Sequence, residues 1–472
     1  MLNRLITSPA LRQSLVYGLA LASAKGVSLL MVPVFTHFLS PADYGRLDIV
    51  QTLADLLSIM IGLGLADTLF RFAGSAETED ERQAAAANVF GFSVIIGVIA
   101  LAATQLAAPL IADLLPGGIT VMQTRLILGT LAMSGISLVL LSWVRMQERA
   151  SLYMFGSLGR VVLQASGAAV LLWVGLGVTG VLVAGLAAAT ALALGLSYWC
   201  LCHTGISFDV QRYKTYLVYG GPLVLTGMAG FVLGSFDRWI LADAIGPAAM
   251  AEYALAAKMA LITAFVIQPF DLWWLPNRFK ILGQAGGVEK CARAVGIGVT
   301  LAVAAAVGVA IGGPAVIRLV TPNVYHGAVV YVPWLAVLAA VHAVNTMINL
   351  GAMSGRTTVR PLMIDASAAA IAVIGYLTLI PVYGGYGAIC ATAIALTSRL
   401  IVTYKVSQSI LHIPYRLNRM ILLAGSALAL ITFLPVSNGI VTPMVWAVVA
   451  GSGVMALSLA INLLPKPEMM AQ

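Results

Sequence analysis

Leu15-Val16-Tyr17-Gly18 opens a long apolar run, and Leu217-Val218-Tyr219-Gly220 opens another 202 residues further on. Ser40-Pro41-Ala42-Asp43-Tyr44 closes the first run, as Gly246-Pro247-Ala248-Ala249-Met250-Ala251-Glu252-Tyr253 closes the second. Gly180-Val181-Leu182 is answered in turn by Gly387-Ala388-Ile389, so the landmarks keep their order at offsets of 202, 209 and 207 residues. Such an echo marks an internal duplication. In a membrane chain a duplication points above all to transport, because two similar bundles that rock against each other expose a site between them to either side in turn.

The chain is a membrane chain by composition. Hydrophobic residues make up 60% and charged residues 9%, against roughly 25% charged in soluble domains. The apolar runs last about 20 residues, enough for a helix to cross a hydrocarbon core of about 30 Å. Fourteen spans are predicted, at 12–38, 42–72, 84–112, 120–146, 151–174, 179–202, 213–244, 248–277, 288–313, 327–353, 358–380, 385–411, 418–435 and 440–464. No removable leader is expected, because the run after Arg4 and Arg12 is too long for a signal peptide's apolar region.

The net charge of +8 does not imply a nucleic-acid partner. With the N-terminus in the cytoplasm, eighteen of the twenty-six Lys and Arg residues fall at cytoplasmic span ends. That bias orients the chain by the positive-inside rule, places both termini in the cytoplasm and accounts for the basic balance. Cys200, Cys202, Cys291 and Cys390 map to spans or their cytoplasmic ends, so no disulfide framework is expected. The cluster Cys200, Cys202 and His203 lacks the spacing of a zinc site, and no metal or cofactor is expected. Loops are too short for a soluble domain, and no phosphate-cradling loop, nucleophile elbow or His-Glu-x-x-His pattern occurs. A transporter is favoured over an enzyme on these grounds.

Each repeat holds six spans, in 1–205 and 206–412, and 413–472 supplies two more. An even number leaves both copies in the same orientation, related by an axis along the membrane normal. The expected fold is therefore all-α, with two six-helix lobes and two C-terminal helices. The opening carries a sharper signal: Tyr17-Gly18, Lys25 and Pro33, then Phe38-Leu39-Ser40-Pro41-Ala42-Asp43-Tyr44-Gly45-Arg46-Leu47, and Gly62-Leu63-Gly64-Leu65-Ala66-Asp67-Thr68-Leu69-Phe70-Arg71 at the end of span 2. This segment resembles the polysaccharide biosynthesis flippases of the multidrug/oligosaccharidyl-lipid/polysaccharide exporter superfamily. The resemblance implies a bacterial inner-membrane protein that moves undecaprenyl-pyrophosphate-linked oligosaccharide to the outer leaflet, for O-antigen, lipopolysaccharide or exopolysaccharide synthesis. The fourteen-span layout is also similar to that of lipid II flippases, where the two extra helices help form a lipid-facing groove.

Ionisable residues inside spans cost roughly 2.5 to 3.5 kcal/mol at mid-bilayer, so they face a bundle interior and mark a pathway. Counting from span ends puts Lys25, Asp55, Lys258 and Arg399 near the midplane and Arg160 and Asp365 nearer the cytoplasm. Arg46, Asp48, Arg125, Asp237, Arg238 and Glu252 fall nearer the outside. Asp48, Gln51, Thr52, Asp55 and Ser58 share one face of span 2. The expected site has Lys25 and Lys258 attracting the pyrophosphate, with Arg46, Arg160 and Arg399 as helpers. Asp48, Gln51, Thr52 and Asp55 contact sugar hydroxyls. A structural reading instead pairs Lys25 with Asp55. Asp55 and Asp365 are the coupling candidates, for a proton, a sodium ion or the membrane potential. Trp273, Trp274 and Trp334 lie near span ends and read as interfacial anchors, while Tyr17 and Tyr219 read as packed core that could also stack on sugars.

Lipid-linked oligosaccharide, membrane lipid, the coupling ion and envelope polysaccharide assembly proteins are the expected partners. Two alternatives stand beside this reading: an ion-coupled multidrug exporter of the same superfamily and a membrane-embedded enzyme of envelope synthesis. The mid-membrane cations outnumber the acids, which favours an anionic cargo.

Overall fold

The computed structural model describes residues 23, 26–59, 64–354, 359–433 and 439–464, with backbone alone at 217–223 and 225–226. No strand occurs among them. Helices satisfy every backbone hydrogen bond within one segment, which is what a bilayer demands. The first half gives α1 (Gly26–Phe38), α2 (Pro41–Ser58), α3 (Gly64–Gly74), α4 (Glu79–Leu114) and α5 (Val121–Met146). It continues with α6 (Ala150–Trp173), α7 (Gly177–His203) and α8 (Val210–Gly234). The second gives α9 (Asp237–Leu282), α10 (Gly287–Val320), a 3-10 turn at Asn323–Val330, α11 (Val332–Ile348) and the short α12 (Leu350–Met353). It ends with α13 (Val359–Ile410), α14 (Leu417–Phe433) and α15 (Val441–Ala460).

Helix starts follow local chemistry. Ser40 caps α2 by accepting from the Asp43 amide, with Pro41 just inside. Thr78 caps α4 ahead of Glu79, Asp80 and Glu81, whose charges suit the positive helix end. Thr120 and Gln123 form a reciprocal capping box on α5. The sequence reads 42–72 as one span; it is built as α2 and α3, with 60–63 outside the described residues.

Among the described residues, eight helices are long and apolar enough to cross a membrane, or nine counting the pair Asn323–Val330 and Val332–Ile348 bent at 50°. Two long segments are more than single crossings. The 52 residues of α13 would run about 78 Å if straight, far beyond about 30 Å of hydrocarbon. Gly384, at φ 55° and ψ −131°, breaks it. Tyr376 and Thr392 then share a hydrogen bond of 2.9 Å, whereas residues sixteen apart in a straight helix sit about 24 Å apart. α13 is thus a hairpin folded at Gly384, matching spans 11 and 12. α9 folds likewise at Gly246, with φ 82° and ψ 159°, and Tyr253 reaches back across the turn to Asp237 at 2.5 Å.

Contacts divide the chain into two compact units, Met1–Phe231 with Gly246–Ala248, and Val232–Ile245 with Ala249–Gln472. In the first, α5 is central, packed by α2, α4 and α7, and α6 lies on α7. Trp143 is buried there, and its indole donates to Thr204 Oγ1 at 2.9 Å. Phe92 of α4 stacks on Tyr213 at 4.3 Å, which ties the start of α8 to this unit. Arg145 lies over the rings of Phe70 and Tyr153 and Arg149 over that of Trp199, so cations at one end of the unit rest on aromatic faces.

In the second unit, α10 is central, with α11, α14 and α15 against it. Trp274 lies in its core, fully buried and stacked on Phe270 at 6.3 Å. This overturns the anchoring expectation for Trp274: its indole faces the α10 side of α9, where burying a large ring gains more than the membrane boundary offers. Its neighbour Trp273 is exposed.

Candidate functional site

The charged residues that fall within the predicted spans divide between the two units. In the first, the polar face of α2 is sorted by packing. Asp48 and Thr52 are buried, Gln51 is half-buried, and Asp55 and Ser58 are exposed. Thr52 donates its hydroxyl to the Asp48 carbonyl and Ser58 to that of Asp55, both at 2.9 Å. Hydroxyls bonded to their own helix turn are partly spent, and Gln51 and Asp55 are the non-hydroxyl members of the face that reach the surface. Arg46 donates through Nε to the Gly117 carbonyl and through Nη1 to Asp43, both at 2.9 Å. Those bonds give it a local role at the start of α2. Arg160 of α6 donates to Ser134 Oγ of α5 at 3.1 Å. Lys25 and Tyr17 lie outside the described residues, as does the side chain of Tyr219.

In the second unit Lys258 is half-buried on α9. The pair that the structure brings together is Arg399 and Asp365, on the two arms of the α13 hairpin. Nε and Nη2 of Arg399 both reach Asp365 Oδ1 at 2.7 Å, with only 12% and 20% of the two side chains exposed. Arg399 Nη1 stands 3.5 Å from Nδ1 of His342 on α11. Since arginine only donates, Nδ1 must accept there. His342 itself is exposed. The sequence reading names Arg399 and Asp365 for separate tasks and does not include His342; a histidine at similar depth in span 10 was the available signal.

Beside this cluster runs an apolar groove of about 460 Å³. Its walls come from α10, α11, α13 and α14, among them Val303, Val341, Leu400, Ala424 and Leu428, and Lys405 is the charged residue on them. Val341 and Leu400 are the chain neighbours of His342 and Arg399, so the charged cluster and the groove occupy one stretch of the α11–α13 seam. The groove is lined largely by valine, leucine, isoleucine and alanine, a surface suited to hydrocarbon.

A second polar cluster lies near the turn of α9. Tyr253 donates to Asp237 Oδ2, and its ring meets that of Tyr331 at 5.8 Å. Tyr331 in turn meets Tyr386 at 5.4 Å. Glu252 packs over Gly327, where a methyl group would stand 2.2 Å from its carboxylate.

Comparisons with known proteins match this architecture. The lipid II flippase MurJ in an inward closed conformation superposes with a TM-score of 0.71, at 10% identity over 96% of this chain and 98% of that one. An inward-facing multidrug resistance MATE family transporter of the MOP superfamily gives 0.57, at 17% identity over 82% and 94%. A MOP superfamily transporter from Pyrococcus furiosus gives 0.52, at 15% identity over 84% and 95%. At such identities these likenesses establish the fold. No curated protein sequence matches the chain. The family model described as "Polysaccharide biosynthesis protein" matches residues 34–329, well over half of the chain, and the chain belongs to that family.

Proposed function

We propose that the protein is a flippase that carries a lipid-linked oligosaccharide across the bacterial inner membrane by alternating access, in the service of cell-surface polysaccharide synthesis. The observation that carries this reading is the pairing on the α11–α13 seam of an apolar groove with charged residues: Lys405 on its wall and the His342–Arg399–Asp365 cluster beside it. An amphiphile with a long isoprenoid tail and an anionic head fits that pairing, the tail in the groove and the head among the cations. Undecaprenyl pyrophosphate bearing a saccharide is such a molecule. Lys25, Lys258 and Arg160 are the further cations of the head-group path, and Gln51 and Asp55 are the hydroxyl-binding groups. Arg46, Asp48 and Thr52 support α2 around that path. Asp55 and Asp365 are the residues through which a proton or sodium ion would drive return.

The test is reconstitution in liposomes with pyrophosphate-linked saccharides, scoring leaflet accessibility with and without ion gradients. Movement of the lipid-linked saccharide, reduced by Lys25→Ala at equal protein level, is the expected result; no movement of any such lipid refutes the reading. Ion-coupled export of cationic compounds is the second reading, favoured by the acidic and aromatic cluster of Asp237, Glu252, Tyr331 and Tyr386. Export of a cationic dye without lipid movement would select it.

A further inference from the structure

We propose that Asp365 is an internal stand-in for the anionic head group, holding Arg399 until a multiply charged phosphate displaces it, and that His342 is the third residue of this exchange site. The inference rests on the flippase reading and specifies which anion the second unit selects. Arg399 carries five N–H donors in a planar fork suited to carboxylate or phosphate. In the structure two of its nitrogens converge on a single oxygen of Asp365, and a third faces His342. The arginine is thus neutralised by a group on the other arm of the same hairpin, 34 residues away.

That arrangement has a chemical consequence. A buried guanidinium without a counter-ion is costly and would collect any small anion. A resident carboxylate with one negative charge removes that cost and sets a threshold. Anions of a single charge gain little by exchange with it, whereas a pyrophosphate, with more charge and more acceptor oxygens, gains both the fork and a second contact. His342 supplies that contact: it is exposed, and its Nε2 is free to donate while Nδ1 faces the arginine. α10, packed against α11, carries no charged side chain between Arg293 and Arg318, so it offers Arg399 no competing partner.

The experiment measures binding to the full chain in nanodiscs, using an isoprenyl pyrophosphate, the isoprenyl monophosphate of the same tail, and inorganic pyrophosphate. Asp365→Asn is expected to tighten the monophosphate about tenfold and the isoprenyl pyrophosphate about threefold, which narrows the preference for pyrophosphate. Arg399→Gln weakens the pyrophosphate about tenfold, and Asp365→Asn then has no further effect. His342→Gln weakens the isoprenyl pyrophosphate about threefold while leaving the monophosphate unchanged. Inorganic pyrophosphate follows the same order, which separates the head from the tail. Asp365→Ser replaces the Asn variant if the latter elutes as aggregate. Aggregation of both would assign Asp365 to folding and overturn the exchange, as would unchanged affinity in the Asn variant or equal tightening on the Arg399→Gln background. Absence of binding of either lipid to the unmodified chain would refute the flippase reading itself, whereas binding that ignores Asp365 refutes the exchange alone.

Discussion

Ala424 is an exposed residue of α14 on the wall of the groove. Ala424→Phe therefore puts a ring into open space without overpacking a core. An aromatic side chain covers on the order of 150 Å², wall that a lipid tail would otherwise cover. At about 25 cal/mol per Å², the full loss is about 4 kcal/mol. A tail that bends around the ring keeps about half, leaving about 2 kcal/mol, or roughly thirtyfold in Kd. The assay is binding of an isoprenyl pyrophosphate in nanodiscs beside inorganic pyrophosphate, which has no tail to lose. Leu422→Phe is the control, since Leu422 is 56% exposed and does not line the groove. The expected result is tail-dependent weakening in Ala424→Phe alone. Affinity within twofold of the unmodified chain, or equal weakening in Leu422→Phe, refutes the groove as the tail site.

Lys405→Gln removes the charge on that wall and is expected to weaken anionic isoprenyl lipids by about 1 kcal/mol, near fivefold, leaving a neutral isoprenol unaffected; equal effects on both would refute a head-group role. Gly384→Ala forces a side chain into φ 55°, ψ −131°, at a cost of about 1–3 kcal/mol, so the purified variant should melt at lower temperature, and an unchanged midpoint contradicts the turn geometry. Tyr253→Phe removes the donor from a buried carboxylate at 2.5 Å, a loss of about 1.5–3 kcal/mol, read as lower thermal stability at equal expression.

The span pattern was legible because burial in lipid and helix length leave few alternatives. Apolar runs of about 20 residues, punctuated by Gly246 and Gly384, foretold the turns to within a few residues. That Arg399 and Asp365 are ionisable residues inside apolar runs was also legible, and it nominated them. Their partnership was not, since it depends on the rotation of two hairpin arms about their axes, which spacing does not encode. Arg46 shows the same limit: Asp43 lies three residues away in sequence, but the Gly117 carbonyl that completes its bonding comes from a distant loop. Trp274 read as an anchor because nearness to a span end says nothing about which face its ring takes. For the groove, the layout resemblance implied only that the two C-terminal helices help form one; which residues wall it was not legible, because they look like any apolar surface.

The single-glycine reversal at Gly384 also decides where the molecule can be probed. A hairpin with no loop offers no strand of chain for a protease to grip, an antibody to recognise or an inserted tag to occupy without splitting two crossings. The polar link between Gly74 and Glu79, exposed and followed by a well-capped helix, is the place where an inserted reporter of sidedness can sit and leave the helices on either side intact.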